Sequence, residues 1–145
     1  YFVPTPSIMK ALKRTVKRGV KVDILISAKN DIPLVPDIVL YNAHKLIKEG
    51  AHIWRYQPGF HHSKIMMVDG LFCTVGSTNL DARSLRFDYE INALIIDKAI
   101  TRELEDKFIQ DTGKSVYLSE DEWQKCRTRW QKIRGWLGHM LTPFL

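Results

Sequence analysis

A histidine, a lysine and an aspartate stand in the order H-x-K-x-x-x-x-D as His62, Lys64 and Asp69. On an extended segment alternate side chains share a face, so His62 and Lys64 are expected to project together, roughly 7 Å apart. Such a pair suits a phosphate. A neutral imidazole can attack phosphorus or relay a proton, and an ammonium neutralises non-bridging oxygens as charge builds in the transition state. Asp69 has the opposite parity and precedes Gly70, so its expected task is to fix a hairpin turn or a partner charge.

Two further groups follow. Gly76-Ser77-Thr78-Asn79 puts small, hydrogen-bonding residues just past a strand end, where the backbone and the Ser77 and Asn79 side chains can approach an anion. Glu90 is a carboxylate in an otherwise apolar run, costly to bury without a partner. An imidazole N–H is a suitable partner, and the pair would fix the tautomer of His62. Each residue also has a plainer use: His62 as a structural histidine, Ser77 and Asn79 as turn residues, Glu90 as an ion-pair partner of Arg83 or Arg86. His61 beside His62 raises a metal pair, but adjacent strand residues point to opposite faces, and no metal is expected. His44, His52 and His139 lack ligand spacing and read as surface or packing residues.

Positioning these groups requires a layered framework. Thr5 as cap, Pro6 at the first turn, Ile8, Leu12 and Val16 on one stripe and Gly19 as terminator predict a helix, followed by a buried strand over 20–26. A polar loop over 27–36 leads to a second helix ending at Gly50 and a strand over 51–56. Segments 61–68 and 71–75 flank Asp69-Gly70, the favoured sequence for a tight hairpin. A strand over 89–96, a helix capped by Asp97 and ended by Gly113, and a last helix from Glu120 to about Met140 complete the chain. The expected fold class is α/β, a mixed β-sheet flanked by helices.

At 145 residues with 45% hydrophobic content the chain fits one folded unit. No apolar run approaches the ~20 residues that cross a bilayer. Cys73 and Cys126 are the two cysteines, without metal-site spacing, which argues against a disulfide framework. The opening Tyr1-Phe2-Val3-Pro4 without a starting Met reads as a piece of something longer. The net charge of +6 is local: from Trp123 onward there are five basic side chains and no acidic one, leaving 17 basic against 16 acidic elsewhere. Trp123, Cys126, Trp130, Ile133, Leu137 and Met140 recur there at helical spacing, with Trp136 just off the stripe and Arg134 among the cations. Tryptophans between cations are the composition of a helix lying in the plane of an anionic membrane. The other reading is a helix packed on its own domain with a solvated basic face, and both stay open.

His62-Ser63-Lys64 with Asp69, Gly76-Ser77-Thr78-Asn79-Leu80-Asp81 with Arg83-Ser84, and then Glu90 and Asn92 resemble the repeated catalytic motif of the phospholipase D superfamily in order and spacing. Within it, Tyr1-Phe2-Val3-Pro4, Tyr56-Gln57-Pro58-Gly59-Phe60, the string 79–84 and the closing 141–145 are similar to the C-terminal half of bacterial cardiolipin synthases. The likeness covers nearly the whole chain, with one departure: the family uses two such motifs facing each other, and this chain has one. The resemblance implies a phospholipase D-like half-domain over 1–118 and a basic, Trp-rich helix and tail over 119–145. It also implies phosphatidyl transfer through a phosphohistidine, without metal or cofactor, making cardiolipin from phosphatidylglycerol. Lys64, Ser77 and Asn79 would bind phosphate, Glu90 would orient His62, and His62 would be the general acid/base opposite a nucleophile in the other half. That half would lie upstream or in a homodimer partner. The implied setting is the bacterial cytoplasmic membrane, as a peripheral protein or one anchored by a segment outside 1–145. The alternative is a single-motif nuclease or phosphodiesterase of the same superfamily, acting on nucleic acid as a homodimer.

Overall fold

Thr5 begins the first helix as its sequence marks it, its hydroxyl accepting from the Ile8 amide at 3.5 Å ahead of α1 (Pro6–Lys17). The computed structural model describes residues 1–33 and 35–140, so the closing segment 141–145 lies outside the described residues. After α1 come β1 (Asp23–Ser27), α2 (Val35–Ile47), β2 (His52–Tyr56), β3 (Lys64–Val68), β4 (Phe72–Gly76), α3 (Ala82–Arg86), β5 (Asn92–Ile95), α4 (Lys98–Thr112), β6 (Ser115–Tyr117), α5 (Glu120–Lys125) and α6 (Arg129–Met140).

The α/β expectation holds, with the strands divided between two small sheets. One, ordered β1-β2-β6, is mixed: β1 runs parallel to β2, and β6 pairs antiparallel with it. The other, β3-β4-β5, is antiparallel throughout. The main core lies against the first sheet, where Ile38, Val39, Ala43 and Leu46 of α2 bury with Met9, Ile26, Ile53 and Leu118. Each large aliphatic buried there contributes about 1.5–3 kcal/mol.

The β3–β4 connection is the tight turn that Asp69-Gly70 predicts. Both residues take positive φ, 53° and 62°, and the Leu71 amide donates to the Val68 carbonyl at 2.9 Å. Two positive φ values in succession define the hairpin turn whose twist matches the flanking strands. Glu105 of α4 accepts from the Gly70 amide at 3.1 Å, so the helix and the turn hold each other. Register then fixes the faces of this sheet. Met67, Cys73 and Ile95 share the inner row, Cys73 fully buried. Lys64, Met66, Thr74 and Leu94 share the opposite face, where Met66 and Leu94 are exposed.

Three elements differ from expectation. α3 and β6 are short additions: Asp81 caps α3 through the Ser84 amide at 2.7 Å, and β6 is held by pairing across to β2. The last helix is two helices. Thr128 and Gln131 form a reciprocal cap, the Gln131 amide donating to the Thr128 hydroxyl at 3.2 Å and the Thr128 amide to Gln131 Oε1 at 2.9 Å. This box starts α6 afresh, and the break lets Arg127 turn inward.

Candidate active site

The β3 ladder begins where Lys64 pairs with Gly76, so His62 lies two residues ahead of the strand rather than on it. Ser27, the last residue of β1, holds that lead. Its hydroxyl donates to the Gly59 carbonyl at 3.2 Å and accepts from the His61 amide at 3.0 Å. The two histidines then diverge. His61 turns to the Tyr56 ring, 5.0 Å between centroids, and to Asp111, with Nε2 3.5 Å from the carboxylate. His62 is exposed, beside the Phe60 ring at 5.0 Å and edge-on to Tyr1 at 6.5 Å. The Lys64 ammonium curls back to donate to the His62 carbonyl at 2.7 Å. Lys64 is thus tied to the main chain of His62, which precedes the strand on which alternation was expected to pair the two side chains.

Carboxylates surround the lysine. Burial lowers the Lys64 ammonium from its ordinary pKa, while the charges of Glu90, Asp81 and Asp31 pull it back up. Asp31 also receives the Tyr1 phenol, whose pKa is pushed up to about 12 by burial and by this hydrogen bond. The same bond holds Asp31 below the usual carboxylate range, with the nearby His62 contributing. The chain therefore builds a ring–carboxylate surround for His62 from Tyr1, Asp31 and Phe60. Sequence reading did not single out these residues as site groups. Asp31 lies 30 positions from Tyr1 in a polar loop, and no local pattern announces the pair.

The second cluster is drawn together at the start of β5. The Ser77 hydroxyl donates to Glu90 and accepts from the Ile91 amide at 3.0 Å, and the Ser77 amide donates to the Ile91 carbonyl at 3.0 Å. Asn92 donates to the Thr78 hydroxyl, and Asn79 Oδ1 accepts from the Tyr1 amino nitrogen at 3.0 Å. Glu90 precedes β5 and is half-buried, with Ser77 as its hydrogen-bond partner in place of the expected imidazole. Arg83 pairs with Asp88 at 3.1 Å, not with Glu90. Asp69 stays at the hairpin turn. Among the described residues no group of three His, Cys, Asp or Glu is placed to hold a metal ion.

Gly76 closes this end of the sheet. A Cβ there would strike the Asn92 side chain and the Ile91 carbonyl, and would come within 2.6 Å of Asn92 Cα. Because the obstacle is largely backbone, Gly76→Ala is expected to lower stability by about 3 kcal/mol and to part β5 from β4 beside Ser77 and Glu90. Thermal unfolding of the variant checks this; an unchanged midpoint would contradict the close approach.

Residues 1–112 match the family described as cardiolipin synthase, PLD-like domain. The chain belongs to that family. Curated relatives agree: over all 145 residues it is 37% identical to the cardiolipin synthase of Listeria welshimeri and 37% identical to cardiolipin synthase 1 of Staphylococcus epidermidis. It spans 30% and 29% of the lengths of those two proteins. Its fold superposes on a crystal structure of Nuc, a phospholipase D family member from Salmonella typhimurium, with a TM-score of 0.71 at 20% identity. That match covers 82% of this chain and 78% of the other.

For this cardiolipin synthase-like domain the C-terminal residues separate into two sets. Trp123 is buried, its indole N–H donating to the Leu40 carbonyl at 2.8 Å and its ring stacked on His44 at 3.6 Å. Arg134 pairs with Asp37. These two, expected at a membrane, are instead engaged in the docking of α5 and α6 on α2, because their helical phase points them at it. Trp130 and Trp136 are exposed, together with Ile133, Leu137 and Met140. No described helix is long and apolar enough to cross a membrane.

Proposed function

We propose that residues 1–145 supply one of two histidine-bearing halves of a phosphatidyl-transfer centre that makes cardiolipin from phosphatidylglycerol. The observation that carries this reading is the exposed His62 imidazole with the Lys64 ammonium tied to its carbonyl at 2.7 Å. An imidazole nitrogen of one half attacks phosphorus, forming a P–N bond as the P–O bond to the leaving glycerol breaks. The imidazole of the other half gives that alkoxide its proton. It then removes a proton from the acceptor hydroxyl, whose oxygen attacks phosphorus and breaks the P–N bond. His62 takes the acid/base part, Lys64 neutralises phosphoryl oxygens, and Ser77 and Asn79 line the anion's bed. Glu90 acts on that bed through the Ser77 hydroxyl. Asp69 holds the turn.

A second half is part of this reading because the second sheet is uncovered on the face that carries Lys64. Met66 and Leu94 are exposed there, and Phe87, Tyr89, Ile91 and Ile96 are exposed around β5. Uncovered apolar area of this kind marks an interaction surface. Its occupant is the opposing histidine-bearing half. Labelled phosphatidylglycerol given to the natural full-length protein is expected to yield labelled cardiolipin and free glycerol. Absence of that product, with metal-independent cutting of single-stranded DNA by a homodimer, would replace the transferase with the nuclease reading.

Residues 1–118 form the catalytic half-domain in this proposal, and 119–145 bring it to an anionic membrane surface through Trp130 and Trp136. Brominated lipids should quench tryptophan emission of the natural protein, and the double variant Trp130→Ala/Trp136→Ala should lose most of that quenching. Equal quenching in the variant would remove the tail from the membrane contact.

A further inference from the structure

One face of α1 and the end of α6 enclose a second cationic site that the chemistry at His62 does not use. Lys10, Lys13, Arg14 and Lys17 recur at helical neighbour spacing along α1. Together with Lys45 of α2 and His139 of α6 they line a cleft of about 470 Å³ with no carboxylate in its wall. Glu49 nearby takes Lys13 at 3.0 Å and Lys17 at 3.2 Å. Lys45 is half-buried over the Tyr41 ring, 4.5 Å from its centroid, and its ammonium lies 2.8 Å from His139 Nε2.

We propose that this cleft is a binding site for a phosphate-bearing anion, separate from the His62 centre. The ammonium and imidazole that meet inside it are both basic groups, and each is disfavoured in its charged form by burial and by a neighbouring cation. A phosphate between α1 and Lys45 offsets the burial and the Lys13 and Lys45 charges that disfavour these cations, and accepts charge-assisted hydrogen bonds from them. Its ligands come from three helices, so binding also ties α6 to α1. The shared chemistry is a phosphate monoester or diester, whether on a lipid headgroup or free in solution. His139 lies one helical turn beyond the exposed Trp136, which brings the cleft to the end of the apolar side of α6.

The test is lysine footprinting on the natural full-length protein. Reductive methylation is followed by mass spectrometry with dihexanoyl phosphatidylglycerol or inorganic phosphate as probe. Methylation of Lys45 and Lys10 is expected to slow about threefold or more, saturably, while Lys107 on α4 is unaffected. Protection at lower concentrations of the lipid assigns a headgroup site. Equal protection by inorganic phosphate assigns a free phosphate. Arg14→Gln, on the exposed face of α1, should weaken protection several-fold, and His62→Ala should leave it intact. The proposal is overturned if Lys45 is unprotected, if Lys107 is protected equally, if Arg14→Gln makes no difference, or if His62→Ala removes the effect. The last result would move the signal to the catalytic centre and leave the transferase reading standing.

Discussion

Replacing His62 with alanine should abolish cardiolipin formation by the natural full-length protein, lowering turnover by about 10⁴-fold or more. The imidazole is the group on this half able to exchange a proton with a leaving or attacking oxygen, and no neighbour substitutes for it. Lys64 points to the His62 carbonyl and Glu90 is engaged by Ser77. His62 is exposed, so its loss should leave thermal stability nearly unchanged and isolate the chemical effect. Lys64→Gln should be milder, about 10²–10³-fold, because it removes charge stabilisation but leaves the bond-making groups. The two parts assigned to the histidines separate in the same variant. If His62 is the acid/base, His62→Ala still accumulates some protein carrying a phosphatidyl group on the opposing half; if His62 is the nucleophile, none forms. Undiminished cardiolipin from His62→Ala would end the reading of this centre.

What the sequence made legible was mostly local. Thr5 with Pro6, Asp97 before α4 and Asp69-Gly70 at the hairpin each act within a few residues, and each ends or turns its element where the pattern predicts. The motif residues were legible as types at spacing, but their contacts were not. His62 was expected on a strand and precedes it, because the ladder to β4 starts only at Lys64. Glu90 was expected against an imidazole and meets Ser77, a pairing set by how β5 returns beside β4. Tyr1 and Asp31 close on His62 across a long loop, and β6 exists only because β2 has a free edge for it. The split between α5 and α6 was within reach, since Thr128 and Gln131 stand at capping-box spacing; the amphipathic run masked it.

That split sets the largest expected loss of stability, at Asp37. The residue lies in the first turn of α2 and is buried, with its carboxylate 3.8 Å from the Arg127 guanidinium and hydrogen-bonded to Arg134. Arg127 also donates to the Asp37 main-chain carbonyl at 3.1 Å, and its side chain is 1% exposed. Gly135 permits this approach, since a Cβ there would meet the Asp37 carbonyl group and Arg127. Burial already lowers the Arg127 guanidinium from its ordinary pKa, and the Asp37 charge opposes that shift. Asp37→Ala removes the opposing charge but leaves the cation inside, which costs about 3–5 kcal/mol. The chain can relieve this only by drawing Arg127 out, which undocks α6 from α2. Asp37→Leu combined with Arg127→Met replaces the pair with apolar groups and should recover most of the loss, since desolvation largely offsets the attraction within a buried ion pair. Thermal unfolding of the two variants decides the matter: a mild Asp37→Ala, or a double variant as unstable as the single, would show that this ion pair does not hold the C-terminal helices in place.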